Sequence, residues 1–309
     1  MLDYAGLSAI AAVVREGSFE RAARALHVTP SAISQRVKGM EERLGTVLIV
    51  RGHPCTATVT GRLLCRHVEQ VGLLEVDLRD ALPKLSQSGA PDAADSRATL
   101  RIAVNADSLG TWFIGAIDLF LRTAPALLDV VLDDEEHTVE WLRSGTVLAA
   151  VSANARPVQG CNSMPLGRLS YLAVASPGYM ARHFPEGIDA ASLASAPILR
   201  FNRKDGLQAQ WIRRICRRPI DVPTHWVPST QAFVDAAVAG IGWAMNPRSL
   251  VQEHLRAGRL VELMPGRELA VPLYWQVSRL AVPMLRQLTQ AVLVGAQAAL
   301  DLKSFRKAR

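Results

Sequence analysis

The chain has 309 residues, of which 49% are hydrophobic and 20% are charged, and its formal net charge is +7. This apolar fraction excludes a wholly disordered chain, and no apolar run reaches the ~18 residues that a membrane span needs. The first residues lack the basic and apolar segments of a secretory signal. We therefore expect a cytoplasmic protein of about two domains with no membrane partner. The positive charge suggests a polyanionic partner but does not locate it, because the excess is spread over both halves of the chain.

The four cysteines are far apart, and none belongs to a Cys-x-x-Cys pair. They are Cys55, Cys65, Cys161 and Cys216. This spacing is typical of neither a disulfide framework nor a zinc site, so we expect reduced, structural thiols and no metal ion. A redox switch on Cys55 and Cys65 is an alternative that no sequence signal singles out.

Three helices are predicted near the start of the chain. Apolar residues recur at helical spacing over the first fourteen positions, and Ser18 can cap the second helix. Thr29 is a good N-cap and Pro30 suits the first position of the third helix. Gly45 is a natural residue for its end.

The second and third helices, joined by a short turn, are typical of a helix-turn-helix. Ala22, Ala23 and Ala25 allow a close helix crossing, and Ile33 and Val37 would anchor the third helix to the core. The opposite face is polar and can read base edges or hold phosphates. There we expect DNA contacts from Thr29, Pro30, Ser31, Ser34, Gln35, Arg36 and Lys38. An ordinary helical hairpin with a solvated polar face is the alternative.

A two-stranded hairpin is predicted next, because β-branched residues alternate around Gly52 and Pro54. Arg51 and His53 at its tip are placed to grip the DNA backbone, as a wing would. We therefore expect a winged helix-turn-helix over residues 1–60.

A long helix is predicted over residues 61–84. Leucine and valine recur on one side at intervals of three and four, from Leu63 to Leu82, a pattern more typical of a helix–helix seam than of a lone surface helix. We expect this helix to pair two copies of the chain. Residues 85–98 are polar and rich in Ala, Gly, Pro and Ser, which predicts a hinge.

An α/β domain is predicted over residues 99–309, where strand-like and helical runs alternate, beginning with a β-α-β-α-β series of parallel strands. No G-x-S-x-G, Walker, HExxH or G-x-G-x-x-G motif is present, and the seven histidines are dispersed. We expect no enzyme activity, no catalytic residue and no cofactor. An α/β enzyme fused to a DNA-binding module and a solute-binding protein are the alternatives.

Short motifs along nearly the whole chain resemble one regulator family. They are Gly17-Ser18-Phe19, Ala22-Ala23, Thr29–Ser34, Leu44-Gly45, Ala103–Leu109, Phe184-Pro185, Ala232-Phe233-Val234 and Leu273-Tyr274-Trp275. Together they are similar to the LysR-type transcriptional regulators, and within them to the ArgP/LysG branch.

The resemblance implies a two-lobed effector domain like a periplasmic binding protein, with lobe I at 99–165 and 269–309 and lobe II at 166–268. It implies a homodimer or homotetramer that binds a double-stranded DNA operator and can contact RNA polymerase. It also implies a basic amino acid, lysine- or arginine-like, as effector, with control of amino-acid export or metabolism genes. A different small-molecule effector is the alternative.

Ligands of such sheets bind where strands end and helices begin. After the first strand of the domain, Ser108 can hold a carboxylate, Asp107 an amine, and Asn105 lies beside them. Asp133 and Asp134 follow the second strand and can hold a cationic side chain.

Two further places qualify. Ser229 and Thr230 open a helix of lobe II and offer two hydroxyls to an α-carboxylate. Phe201 lies at another strand end. In every case, plain helix capping or a solvated turn is the structural alternative. The six tryptophans of the chain are expected mostly in the core.

Overall fold

The computed structural model describes residues 3–82, 99–124, 126–132, 135–280 and 282–302. The effector candidates Asp133 and Asp134, the basic tail 303–309 and the whole predicted hinge 85–98 therefore lie outside the described residues.

The N-terminal part is helical with one small hairpin. Its elements are α1 (Tyr4–Glu16), α2 (Phe19–Ala25), α3 (Pro30–Leu44), β1 (Ile49–Val50), β2 (Thr56–Ala57) and α4 (Val59–Ala81). The predicted caps are confirmed. Ser18 Oγ accepts from the Arg21 amide at 3.1 Å, and Thr29 Oγ1 from the Ala32 amide at 3.2 Å. Gly45 ends α3 with a φ of 65°, a conformation that glycine adopts without cost.

The first three helices enclose a compact apolar core. Ile33 and Val37 are buried in it, as expected for the inner face of α3. Ala22 and Ala23 are also buried at the α2 crossing. Ala25 is exposed, so its predicted role at the crossing was wrong. It falls on the outer side of α2, because successive residues of a helix are about 100° apart.

Helix α4 contributes to two cores. Leu64 packs against the core of the first three helices, whereas Leu73 is buried in the large core of the α/β domain. Between them, the guanidinium of Arg66 donates to the carbonyl of Ser144 at the end of a domain helix. Leu63, Leu74, Leu78 and Leu82 of the predicted seam are exposed.

Within the described residues, the α/β domain has nine strands, nine α-helices and one π-helical turn. In its first part are β3 (Thr99–Val104), α5 (Ala106–Ser108), a π-helical turn (Leu109–Phe113), α6 (Ile114–Leu121), β4 (Leu127–Leu132), α7 (Glu135–Ser144), β5 (Ala149–Ser152) and β6 (Cys161–Ala175). Then follow α8 (Pro177–His183), α9 (Ala190–Ser195), β7 (Ile198–Arg200), α10 (Leu207–Cys216), β8 (Thr224–Trp226), α11 (Thr230–Val238), β9 (Ala244–Pro247), α12 (Arg248–Arg256), β10 (Val261–Glu262), β11 (Leu269–Ser278) and α13 (Pro283–Ala299).

The main sheet is mixed. Strand β3 pairs in parallel with β4 and β5, which confirms the predicted parallel series. Strand β11 is antiparallel to both β5 and β6, and β6 also carries β9 and β10. The 15-residue β6 and 10-residue β11 form a long ribbon, which runs from the β3–β4–β5 side of the domain to the side that carries β9 and β10. The lobe boundaries placed on this ribbon stay predictions.

The sequence patterns did not predict the elements α9, α12 and β10. They also gave no sign of the π-helical turn in the helical segment after β3. The last helix ends at Ala299. Trp112, Trp211, Trp243 and Trp275 are buried, as expected, whereas Trp226 is exposed between the guanidiniums of two arginines.

Candidate DNA-reading surface and effector cavity

The outer face of α3 carries the predicted base-reading side chains. Ser31, Gln35 and Lys38 are exposed, while Ser34 and Arg36 are half-buried. Lys38 lies 3.6 Å from Glu42, an exposed pair of little energetic weight. Since Ile33 and Val37 fix the opposite face in the core, this polar face is presented in a defined orientation.

The wing is the β1–β2 hairpin that follows. The guanidinium of Arg51 lies 5.2 Å from the ring centre of Phe19, a cation–π arrangement. His53 is exposed at the tip. Arg51 therefore lies against the first residue of α2, with its charge beside the helix pair that would meet the DNA backbone.

A cavity of about 390 Å³ lies in the α/β domain where strands β3 and β7 end. Its lining combines polar and apolar side chains, as is typical of small-molecule sites. Its lining residues include Asn105, Asp107, Tyr171, Phe201, Asn202, Lys204, Asp205, Gln210, Thr230, Phe233 and Asn246.

Asp107 is the first acid of this cavity. Its Oδ2 accepts a 2.7 Å hydrogen bond from the hydroxyl of Tyr171. The pKa of Asp107 is raised to about 6, chiefly by burial; the Tyr171 hydrogen bond lowers it, and the nearby Asp205 carboxylate contributes to the increase. A cationic ligand group would relieve both unfavourable effects, because an adjacent positive charge stabilises the ionised carboxylate.

Asp205 is the second acid and comes from the loop after β7. Its Oδ2 accepts from the Phe201 amide at 2.9 Å and from the Gln208 side chain at 3.2 Å. Its Oδ1 accepts from the Leu207 amide at 3.1 Å. These bonds fix the carboxylate at the start of α10, so a ligand meets it already oriented.

Among the buried side-chain atoms that have no hydrogen-bond partner within the described residues, two belong to this region. One is the side-chain nitrogen of Asn246, which lines the cavity. Another is the hydroxyl of Ser108, the residue after Asp107. Unpaired buried polar groups are costly, so a ligand carboxylate at Asn246 would satisfy a donor that the protein leaves free.

The structure brings together Asn105, Asp107, Phe201 and Thr230 of the effector residues predicted from sequence. Asn105 also caps α5, since its Oδ1 accepts from the Ser108 amide at 2.7 Å.

Ser229 acts as a plain helix cap, the alternative to an effector contact. It caps α11 by accepting from the Ala232 amide at 3.4 Å, and it does not line the cavity. Asp133 and Asp134 remain untested because they lie outside the described residues.

Sequence reasoning missed Tyr171, Asp205 and Asn246. Tyr171 and Asn246 occur within apolar strand segments and resemble core residues, although a polar atom in such a run is a signal in itself. Asp205 lies among basic residues in a loop, and its position three residues before Gln208 at a helix start gave a capping signal that could have been used.

The described part of the chain contains no cluster of three or more side chains that could hold a metal ion. None of its helices combines the length and apolar character needed to cross a membrane. Of the cysteines, Cys55, Cys65 and Cys161 are buried. Burial raises the pKa of Cys65 to about 11, and Glu69 adds to the shift, which is the opposite of what a reactive thiol requires.

The helical N-terminal part and the α/β domain each match a known family. Residues 5–62 match the bacterial regulatory helix-turn-helix protein, lysR family, and residues 93–295 match the LysR substrate binding domain. The chain belongs to the LysR family of DNA-binding transcriptional regulators. This confirms the regulator with a winged helix-turn-helix and an effector domain, and it overrules the enzyme and solute-binding alternatives.

The relatives agree with the branch predicted from the motifs. LysG of Mycobacterium tuberculosis is 44% identical over 291 residues, which are 94% of this chain and 92% of that protein. The crystal structure of ArgP from Mycobacterium tuberculosis is 43% identical, has a TM-score of 0.80, and covers 97% of this chain and 99% of that one. Full-length LysG from Corynebacterium glutamicum with bound effector Arg is 34% identical, has a TM-score of 0.69, and covers 97% and 100%.

Proposed function

We propose that this regulator binds a basic amino acid, lysine- or arginine-like, in the cavity near Asp107 and Asp205, and that binding modulates its operator complex. The observation that carries the proposal is the convergence of two carboxylates, from the ends of β3 and β7, on one cavity of about 390 Å³. The arginine bound to the Corynebacterium relative supports the same class of effector.

The chemistry of the cavity fits such a ligand. Arginine and lysine carry two cationic groups, and each can pair with one of the two acids in a partly water-excluded space, where charge-assisted hydrogen bonds are strongest. The α-carboxylate would accept from the free donor of Asn246 and from Thr230 at the start of α11. Asn105 and Phe201 complete the proposed contacts.

Operator binding is assigned to α3 and the wing. Gln35 and Arg36 would read base edges, and Ser31, Ser34, Lys38, Arg51 and His53 would hold phosphates or adjacent bases. Thr29 and Pro30 set the start of α3 and so its depth in the major groove.

The assembly would be a homodimer through the exposed leucines of α4, or a homotetramer of such dimers, with reading helices one DNA turn (~34 Å) or a multiple apart. Closure of the effector cavity would alter the spacing of the readers, DNA bending and access of RNA polymerase. The ligand must bind one arrangement better than the other for this to occur. We further propose a cytoplasmic location and target genes for amino-acid export or metabolism.

Calorimetric titration of the full-length chain tests the effector. L-Arginine and L-lysine should bind, whereas citrulline and norleucine, of similar shape but without the side-chain charge, should bind at least tenfold more weakly. Asp107→Asn and Asp205→Asn should each weaken arginine binding, while Asp118→Asn, on an exposed pair with Arg122, should not. Equal binding of citrulline and arginine would reject the basic effector and favour a different small molecule.

Asp133 and Asp134, which lie outside the described residues, need a test of their own. Asp133→Asn and Asp134→Asn should impair the response to lysine or arginine without affecting DNA binding if these residues contribute to the site. An intact response in both variants would limit the acidic contacts to Asp107 and Asp205.

A further inference from the structure

A second cavity, of about 560 Å³, adjoins the effector cavity. It lies between α10 and the first residues of β11, and Gln210 and Val271 line both cavities. Its charged lining residues are Arg168, Arg214 and Glu268. None of the effector contacts proposed above belongs to it.

The two arginines are held by the same stretch of backbone. Nη1 of Arg214 donates to the carbonyl of Glu268 at 3.0 Å, and Nη2 of Arg168 donates to the carbonyl of Ala270 at 3.2 Å. Carbonyls two residues apart in an extended chain are separated by roughly 6–7 Å. Both guanidiniums therefore lie along the same short stretch of backbone, each with one hydrogen bond to it among the described residues.

Their charges are not neutralised within the described residues. The carboxylate of Glu268 pairs with Arg248 instead, and neither Arg168 nor Arg214 forms an ion pair there. Nε of Arg168 is buried and has no hydrogen-bond partner in the described part of the chain. A buried guanidinium nitrogen without an acceptor is costly, so an anionic ligand would satisfy it.

We propose that this cavity binds a small oxyanion, a dicarboxylate or a phosphate-bearing metabolite, between Arg168 and Arg214. The planar guanidinium fork matches both carboxylate and phosphate in a two-point contact. Since Gln210 and Val271 line both cavities, the anion lies against side chains that also face the amino acid, and it acts as a second effector. This coupling between the anion site and the effector cavity rests on the proposed amino-acid effector, whereas anion binding itself does not.

Titration of the full-length protein with succinate and with inorganic phosphate, in the absence of any amino acid, tests the site. Saturable one-site binding of either is expected, and the stronger of the two identifies the source of the oxyanion. Arg214→Gln should weaken binding about tenfold to a hundredfold, as expected when a hydrogen bond to a charged group is lost. Arg213→Gln, its exposed neighbour on α10 that does not line the cavity, should have no effect.

The second arginine provides an independent check. Arg168→Lys keeps the charge and removes the fork, so it should also weaken binding, with an unchanged melting curve of the ligand-free protein. Lack of saturable binding by both anions would overturn the proposal. So would equal losses in Arg213→Gln and Arg214→Gln, because these would indicate general attraction to a basic surface.

Coupling is measured last, as the arginine affinity with and without saturating anion. A reproducible change in that affinity that disappears in Arg214→Gln is expected. An unchanged arginine affinity would overturn the role as second effector. If arginine itself does not bind while the anion does, the amino-acid proposal fails and the anion site stands.

Discussion

The hydroxyl of Tyr171 donates a 2.7 Å hydrogen bond to Oδ2 of Asp107 and so ties strand β6 to the first residues of α5. The bond favours the ionised carboxylate, since it lowers the pKa of Asp107 against the opposing effect of burial. Removing it with Tyr171→Phe should raise that pKa further and shift arginine binding toward higher pH. Titrations of both proteins across pH 5 to 8 would show the displacement, and superimposable profiles would contradict it.

Effector binding by the unsubstituted protein should itself depend on pH. The pKa of Asp107 in the folded protein is about 6, above its ordinary value of 3.8, and a cationic ligand prefers the ionised form. Arginine affinity should therefore be highest above pH 7 and fall by about tenfold between pH 7 and pH 5, following the ionised fraction.

The raised pKa of Asp107 also predicts how the stability of the ligand-free protein changes with pH. Because the folded pKa is raised, the folded state takes up a proton more readily than the unfolded state, so protonation of Asp107 stabilises the ligand-free fold as pH falls from about 6 toward 3.8. Asp107→Asn should remove this contribution and flatten the pH profile of arginine binding. Calorimetry and thermal melts at matched pH check both, and an unaltered profile in the variant would assign the titration to another group.

Arg36→Ala should weaken specific operator binding by about 1–3 kcal/mol if Arg36 reads a base. The side chain is half-buried on the outer face of α3, with Ile33 and Val37 anchoring the helix behind it. Electrophoretic or fluorescence titrations with operator and random DNA separate the roles. An equal loss on random DNA would assign Arg36 to the phosphate backbone.

Helix α4 approaches the residue before the wing so closely at Gly61 that one added methyl group there should lower the stability of the protein. A Cβ at Gly61 would overlap the carbonyl oxygen of Leu48, whereas a Cβ at Gly72 on the same helix would meet no atom within 4 Å. Gly61→Ala should destabilise the N-terminal part by about 1–3 kcal/mol, and Gly72→Ala should stabilise it by up to ~1 kcal/mol. Chemical denaturation of both variants measures the contrast, and equal midpoints would refute it.

The exposed leucines of α4 predict a self-association surface. Leu74 and Leu78 are 45% and 52% exposed, and a glutamate at either would place a charge in the expected helix–helix seam. Leu74→Glu and Leu78→Glu should shift the protein toward monomer in sedimentation velocity runs, while Glu75→Gln between them should not. A dimer that persists in both variants would place the interface elsewhere.

Local chemistry predicted the caps of α2 and α3 in the N-terminal half. Ser18, Thr29 and Gly45 are signals carried by single residues, and the capping bonds they predict are short-range. The effector cavity depends instead on long-range pairing. Asp107 and Tyr171 are 64 positions apart and lie on elements that do not pair directly, because β11 and β5 separate β6 from β3 in the sheet.

Other elements have no clear sequence pattern from which they could be predicted. The short α9 is held by a reciprocal capping box between Asp189 and Ser192, a signal that its few alanines obscured. Strand β10 has two residues and exists through pairing with β6 alone. No periodicity can be read from a segment of that length.

In helix α4, Leu64 packs against the core of the first three helices and Leu73 is buried in the core of the α/β domain. Arg66 donates a hydrogen bond to the carbonyl of Ser144 at the end of α7. A helix of 23 residues is about 35 Å long, so it is a stiff rod that contacts both cores between Leu64 and Leu73. A tilt of about 5° displaces one end relative to the other by roughly 3 Å over that length. A small rotation of the α/β domain that tilts α4 would therefore move a reading helix by a distance that a base-specific hydrogen bond does not tolerate.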